Sequence, residues 1–218
     1  MPRCDICSAF IEAPGLCPQC AATRPYFTLS RAAAPYAGAL RDSLRDFKYQ
    51  EKTWLRRPLA ALLAQTYTQY YQELPISAVT PVPLSASRLK ARGYNQSAML
   101  SRLLAAEFYL DHQPGLLTRQ LDTPPLATYD GAQRRVFLTQ AFSASPAAQG
   151  QTVLLVDDIY TSGATLNACA AALLAAGAQA VYGLTAASYD ARGKIEDFDP
   201  SRANIIRCYI RTRKEKSE

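Results

Sequence analysis

The sequence predicts an α/β fold: a parallel sheet flanked by helices, with a small cysteine-bearing module in front. Two patterns carry that expectation. Thr152–Val156 is a short, uniformly apolar run, as expected of a strand covered on both faces. A small-residue turn follows, then an alanine-rich helical stretch across Ala168–Ala178 and a strand-like segment, Ala180–Ala187, after the helix-ending Gly177. Strand, helix, strand in that order is a βαβ unit, whose crossover leaves its two strands parallel. The second pattern is amino-terminal: Cys4-x-x-Cys7, nine residues, then Cys17-x-x-Cys20.

The chain has 218 residues, enough for one sizeable core and a small accessory module. Hydrophobic residues make up 49% and charged residues 19%, which excludes wholesale disorder. No run reaches the roughly 18–20 uncharged apolar residues a membrane helix needs, so no membrane span is expected. Met1 opens onto charged and cysteine-bearing sequence rather than a signal peptide. The expected location is the cytoplasm. The net charge of +6 fits anionic partners, and phosphate-bearing small molecules explain it as readily as nucleic acid. A basic tail, Arg207 to Lys216, supplies much of it. The single histidine, His112, sits in the polar stretch Asp111–Pro114 and is expected in a loop; one histidine excludes a two-histidine zinc protease motif.

Along the chain, residues 1–24 read as the cysteine module and 25–218 as the main domain. Pro25–Pro35 reads as a linker or first edge strand. Tyr36–Gln72 is helical, with Leu40, Leu44 and Phe47 on one apolar face and Leu55, Leu59, Leu62 and Leu63 on another. Ile76–Leu84 reads as a second strand entering a loop, Ser85–Gln96, before a helix carrying Met99, Leu100, Leu103 and Leu104. Tyr94, Asn95 and Gln96 suit the cap of that helix. Cys169 falls on the apolar spacing of a helix, and Cys208 in a strand-like run, Ile205–Ile210.

Two residues between cysteines let a tight turn aim both thiolates at one ion, and a pair of such knuckles completes a tetrahedral four-thiolate site. Cys4, Cys7, Cys17 and Cys20 are therefore expected to bind structural Zn²⁺ in a minimal ribbon, with Gly15 and Pro18 suiting its turns. Four protein ligands leave no open position for catalysis. Two disulfides are the rival arrangement, disfavoured in a chain with no mark of export.

The string Val153–Thr165 carries the chemistry. Asp157 and Asp158 are expected where the strand Thr152–Val156 leaves the sheet, the edge at which open α/β sheets bind ligands. Tyr160, Thr161, Ser162, Gly163, Ala164 and Thr165 bring hydroxyls and close backbone approach to a helix start, whose free N–H groups favour a phosphate. Acids for a sugar diol beside donors for a phosphate point to a sugar phosphate. In a parallel sheet the loop after Pro83 leaves from the same edge, bringing Arg88, Lys90 and Arg92 to one crevice with the acids.

This string resembles the ribose-phosphate loop of the type I phosphoribosyltransferases, which bind phosphoribosyl pyrophosphate. The four cysteines, Asp46-Phe47-Lys48-Tyr49, Pro81-Val82-Pro83-Leu84, Arg88…Arg92-Gly93-Tyr94-Asn95-Gln96 and Val153–Thr165, in that order, look like the ComF family linked to DNA uptake in natural competence. The resemblance implies a type I phosphoribosyltransferase-like α/β fold behind a four-cysteine zinc ribbon, and a flexible hood over the site at about 117–142. It implies that Asp157 and Asp158 hold the ribose hydroxyls, that residues 160–165 wrap the 5-phosphate, and that Leu84, Ser85, Arg88, Lys90 and Arg92 form the pyrophosphate side, with Mg²⁺ accompanying the substrate. In the hood, Arg134 and Ala141-Phe142 match the family pattern, while Phe137 stands at its asparagine position and Thr123–Leu126 replaces its glutamine-rich part.

Two classes of function follow. One is a phosphoribosyltransferase with an unidentified nitrogen acceptor. The other is a non-catalytic adaptor that binds the same ligand and contacts single-stranded DNA or competence proteins; the basic loop, the zinc ribbon and Tyr70-Tyr71 are compatible with it, although aromatics at 67, 70 and 71 have a helical spacing more usual for packing. No Gly-x-x-x-x-Gly-Lys-Ser/Thr loop supports an ATPase.

Overall fold

The computed structural model describes residues 2–7, 9–121 and 140–189. Six strands fall in them: β1 (Leu29–Pro35), β2 (Ala78–Pro81), β3 (Leu117–Arg119), β4 (Phe142–Ala144), β5 (Thr152–Tyr160) and β6 (Ala180–Ser188). The α-helices are α1 (Pro18–Ala22), α2 (Gly38–Tyr49), α3 (Arg56–Tyr70), α4 (Ala86–Arg92), α5 (Gln96–Glu107) and α6 (Ala164–Ala175). The main sheet has the order β1-β6-β5-β2, and every neighbouring pair in it is parallel. Pro25–Pro35 thus resolves, over Leu29–Pro35, into an edge strand.

Alternation along β5 divides the core between two faces. Val153 and Leu155 pack in one cluster with Leu166, Cys169 and Leu173 of α6, whereas Leu154 and Val156 join Leu44, Leu59, Leu63, Leu100 and Leu104 from α2, α3 and α5. All these side chains are essentially inaccessible, so β5 is covered on both faces, as its apolar run requires. The cluster on the α6 side also contains all four amino-terminal cysteines.

The predicted end of β5 is corrected. The strand does not stop at Val156 but continues to Tyr160, because β6 accompanies it through Asp157↔Thr185, Ile159↔Ala187 and Tyr160↔Ser188. On its other edge, β2 stops at Pro81↔Val156. The Val82 N–H still donates to the Val156 carbonyl at 2.9 Å, but the Val82 carbonyl then accepts from the Asn95 amide and the Asp158 N–H donates to Asp157 Oδ1, so the ladder goes no further.

Three further readings gain detail. Ser85–Gln96 is not all loop: α4 occupies Ala86–Arg92 and ends on Gly93 in the left-handed region, φ 80°. His112 lies in extended backbone bridged to Val79, with Nε2 2.9 Å from the Ser101 hydroxyl. Tyr71 is fully buried, its ring stacked 6.2 Å from Tyr67 and its hydroxyl donating to the Gly183 carbonyl, while Tyr70 lies against the Arg31 guanidinium. The pair forms no exposed platform for bases. The antiparallel pair β3–β4 frames the expected hood; Thr123–Leu126, Arg134 and Phe137 lie outside the described residues, as do Cys208 and the basic tail. No helix among the described residues is long and apolar enough to cross a membrane.

Candidate functional site

The carboxyl ends of β5 and β2 open on a cavity of about 580 Å³, lined from α2 by Lys48 and Tyr49, from α4 by Arg88 and Arg92, and from β5 by Asp157 and Asp158. Four cations and three acids face it: Lys48, Arg88, Arg92 and Arg119 against Glu51, Asp157 and Asp158. The two aspartates share one strand end, and two of the arginines sit across from them on one helix. A polyol with an anionic substituent suits that division.

The two aspartates have different surroundings. Asp158 is nearly buried, and Lys48 Nζ lies 2.9 and 2.8 Å from its two carboxylate oxygens. Asp157 Oδ1 accepts from the Ser97 hydroxyl at 2.8 Å and from the Asp158 N–H at 2.9 Å. Burial raises the Asp157 carboxyl to about 7, and the negative Asp158 beside it adds to the rise; Ser97 and Lys48 oppose it. Of the pair, Asp157 is the one that titrates near neutrality.

On the β2 side, Leu84, Arg88 and Arg92 reach the cavity, but Lys90 does not line it. Each helix residue turns by about 100°, so Lys90 points roughly 200° away from Arg88 while Arg92 comes back to within about 40° of it. Ser85 is buried, its hydroxyl 3.3 Å from that of Ser87. Arg92 is held in place: it donates to Gln96 Oε1 at 2.6 Å and lies over the Tyr49 ring, 5.4 Å from its centroid. Asn95 caps α5 as its sequence suggests, accepting from the Ala98 N–H, and its amide donates to the Val82 carbonyl at 3.0 Å.

The turn into α6 places Thr165 at the cavity wall. Gly163 caps the helix with φ 75° and ψ 0°, a left-handed conformation that glycine adopts without strain. Its missing side chain also leaves space for Tyr160, since a Cβ there would lie 2.3 Å from the Tyr160 hydroxyl oxygen. The Ser162 hydroxyl accepts from the Ala164 N–H at 3.4 Å.

At the amino terminus, the sulfurs of Cys4, Cys7, Cys17 and Cys20 all lie within 4.8 Å of one another and are buried. A tetrahedral ion about 2.3 Å from each sulfur separates sulfurs by about 3.8 Å, and Cys7 and Cys17 are 3.7 Å apart. The N–H groups of Cys17 and Cys20 point at the sulfurs of Cys4 and Cys17, at 3.3 and 3.4 Å, as suits thiolates. Burial opposes ionisation of Cys4, but backbone N–H groups of Cys7, Cys17 and Ile6 outweigh it and bring its thiol down to about 7. These four residues could hold a metal ion.

Lys48 entered the sequence reading only within the motif Asp46–Tyr49, with no role at the site, and Ser97 and Arg119 were not singled out. The first two did leave a signal. Leu40, Leu44 and Lys48 are four apart, so a charge ends an otherwise apolar stripe of α2; Ser97 opens the buried stripe of Leu100 and Leu104 on α5 in the same way. Arg119 left none, because β3 is a three-residue strand that periodicity does not detect.

With this geometry in view, the chain's relationships are informative. Residues 82–209 match the phosphoribosyl transferase domain family; the chain belongs to that family. Within it, the chain is similar to proteins of the ComF kind. It is 29% identical to Competence protein F of Haemophilus influenzae over 76% of each chain. It is 26% identical to Competence protein ComFC of Bacillus subtilis, over 80% of this chain and 72% of that one. Similarity extends to the DNA utilization protein YhgH of Escherichia coli, at 27% identity over 82% of this chain and 86% of the other.

Proposed function

We propose that this protein binds phosphoribosyl pyrophosphate with Mg²⁺ in the cavity at the ends of β5 and β2, and acts in the cytoplasm in the DNA-uptake role its relatives' names suggest. One observation carries this: two adjacent acids on a strand end face two arginines across one cavity, with Thr165 of the first turn of α6 at its wall. Asp157 and Asp158 hold the ribose hydroxyls, the 160–165 turn takes the 5-phosphate, and Arg88 and Arg92 take the pyrophosphate. An arginine fork pairs two phosphate oxygens and keeps its charge at any physiological pH. Lys48 and Asp157–Asp158 surround the position expected for the ribose, so charge developing on the ring meets carboxylates already oriented for it.

Mg²⁺ suits oxygen donors, and the two carboxylates are of that kind. Their oxygens already bond Lys48 and Ser97, so the ion fits as a partner of the incoming pyrophosphate, whose charge it would screen. Zn²⁺ fits the four thiolates as a structural ion. In transfer, a nitrogen nucleophile bonds to the anomeric carbon as the carbon–oxygen bond to pyrophosphate breaks, with the bonding pair leaving on pyrophosphate.

Phe137, at the asparagine position of the family pattern, favours a second reading: an adaptor that binds the ligand without turnover. Titration calorimetry with phosphoribosyl pyrophosphate and Mg²⁺ tests the shared step. Micromolar-range binding that Asp157→Asn weakens at least tenfold is expected; equal affinity in the variant would refute the site. Pyrophosphate release with any of a panel of nucleobases then favours the transferase, and none favours the adaptor.

A further inference from the structure

We infer that the cysteine module is the support on which the 160–163 turn is built, with Tyr160 and Gln19 as positioning residues, so that metal at the cysteines and phosphate at the turn bind cooperatively. The inference rests on the reading of 160–165 as the phosphate-holding turn.

Tyr160 is the link. Above, its ring lies against Gly163, where a Cβ would meet the hydroxyl oxygen at 2.3 Å and ring carbons at 2.6 and 2.9 Å. Below, the ring stands edge-on to Phe27, just past the module, at 6.5 Å and 84°, and it packs against the cluster that holds the four cysteines. A second link is independent of the first. Gln19, between the two cysteines of the second knuckle, donates from Nε2 to the Ser162 carbonyl at 3.3 Å. The segment that leaves the module is tied to the first turn of α6, where Asn167 Oδ1 accepts from the Tyr26 N–H at 2.6 Å. The module is in turn tied to the sheet, since Arg31 of β1 donates to the carbonyls of Cys4, Asp5 and Cys7 at 3.1–3.3 Å.

A segment of about twenty residues cannot bury a core of its own and depends on a metal for its shape. Without the ion, the knuckle that carries Gln19 loses its fixed position, and the floor under Tyr160 loosens with it. The turn then spends less time in the phosphate-binding conformation, and apparent affinity falls by that fraction. Linkage makes the effect reciprocal, so a phosphate ligand must tighten the metal by the same factor.

The test uses the full chain, zinc-loaded or stripped by chelator under reducing conditions, with ribose 5-phosphate as the probe. Stripping is expected to weaken ribose 5-phosphate at least tenfold and to speed hydrogen exchange at 160–165, while exchange at Leu154–Val156 stays slow. Ribose 5-phosphate is expected to raise zinc affinity, measured by chelator competition, by the factor that stripping costs. Gln19→Ala in the loaded protein should weaken ribose 5-phosphate about threefold, near the worth of one ordinary hydrogen bond, and lower the reciprocal factor. A structural role alone would lower thermal stability without this reciprocity. Equal affinity in loaded and stripped protein, or zinc affinity indifferent to ribose 5-phosphate, overturns the coupling and leaves the phosphate site standing. Failure of the loaded protein to bind ribose 5-phosphate overturns both. If stripping speeds exchange at Leu154–Val156 too, Gln19→Ala decides alone: an unchanged affinity there refutes the inference.

Discussion

Lys48, at the end of α2, places its ammonium 2.8 and 2.9 Å from the two carboxylate oxygens of Asp158, which lies 110 positions away in sequence. Both side chains are largely shielded, at 18% and 11% exposure, so neither charge is well solvated without the other. The lysine is the partner of Asp158, and the neighbouring Asp157 is the group whose carboxyl is raised toward neutrality.

Lys48→Ala should therefore cost more than a surface ion pair. Breaking a shielded pair leaves one charge uncompensated, a loss of about 2 kcal/mol at this partial exposure. Chemical denaturation should show it as a lower midpoint with unchanged slope, and calorimetry should show at least tenfold weaker phosphoribosyl pyrophosphate. Lys48→Arg should recover part of both. A variant as stable as the parent would mean the pair contributes nothing.

The Asp157 carboxyl sets a pH dependence whose sign is fixed. Burial raises it from 3.8 to about 7, so between those values the folded protein holds a proton that the unfolded chain has lost. Stability from this group is full below pH 4 and declines as pH rises through 7. Melting temperatures from pH 5 to 8 should fall more steeply for the parent than for Asp157→Asn. Parallel curves would remove the raised acid.

Gly163→Ala tests the turn. The φ of 75° is strained for alanine, and the new methyl would meet the Tyr160 hydroxyl at 2.3 Å, together a loss of about 1–3 kcal/mol. Ribose 5-phosphate binding should be lost while far-ultraviolet circular dichroism at 20 °C stays unchanged. Binding retained at the parental level would show that the turn tolerates another conformation.

What was legible in the sequence was local. The Cys4–Cys20 spacing, the acids after an apolar run and the βαβ order each lie within a few dozen residues, so turn chemistry and periodicity report them. The Lys48–Asp158 pair joins segments that only the packed sheet brings together. Helix α4 escaped notice because none of its residues is buried, which leaves no apolar stripe to read; its signal was Gly93, a helix-ending residue. The length of β5 was hidden for another reason: two acids ended the apolar run, but the ladder to β6 is made by backbone groups and continues regardless of side chain. The helical spacing of Tyr67, Tyr70 and Tyr71 pointed to packing, and tertiary structure showed that Tyr67 and Tyr71 are the ones that face the core.

The unequal lengths of β2 and β5 have a bearing on how this site could change over time. Strand β5 runs four residues past the Val156 partner of Pro81, and the cavity occupies the notch so formed. Its width is set by where a backbone ladder ends: the next N–H of β5, that of Asp158, donates to the Asp157 carboxylate, and the Val82 carbonyl that would receive it accepts from the Asn95 amide instead. Other side chains around the rim can then be exchanged, and with them the choice of ligand, while the opening keeps its dimensions. Replacing Asn95 would be the more drastic alteration, because it would free the Val82 carbonyl for the ladder to continue and narrow the doorway itself.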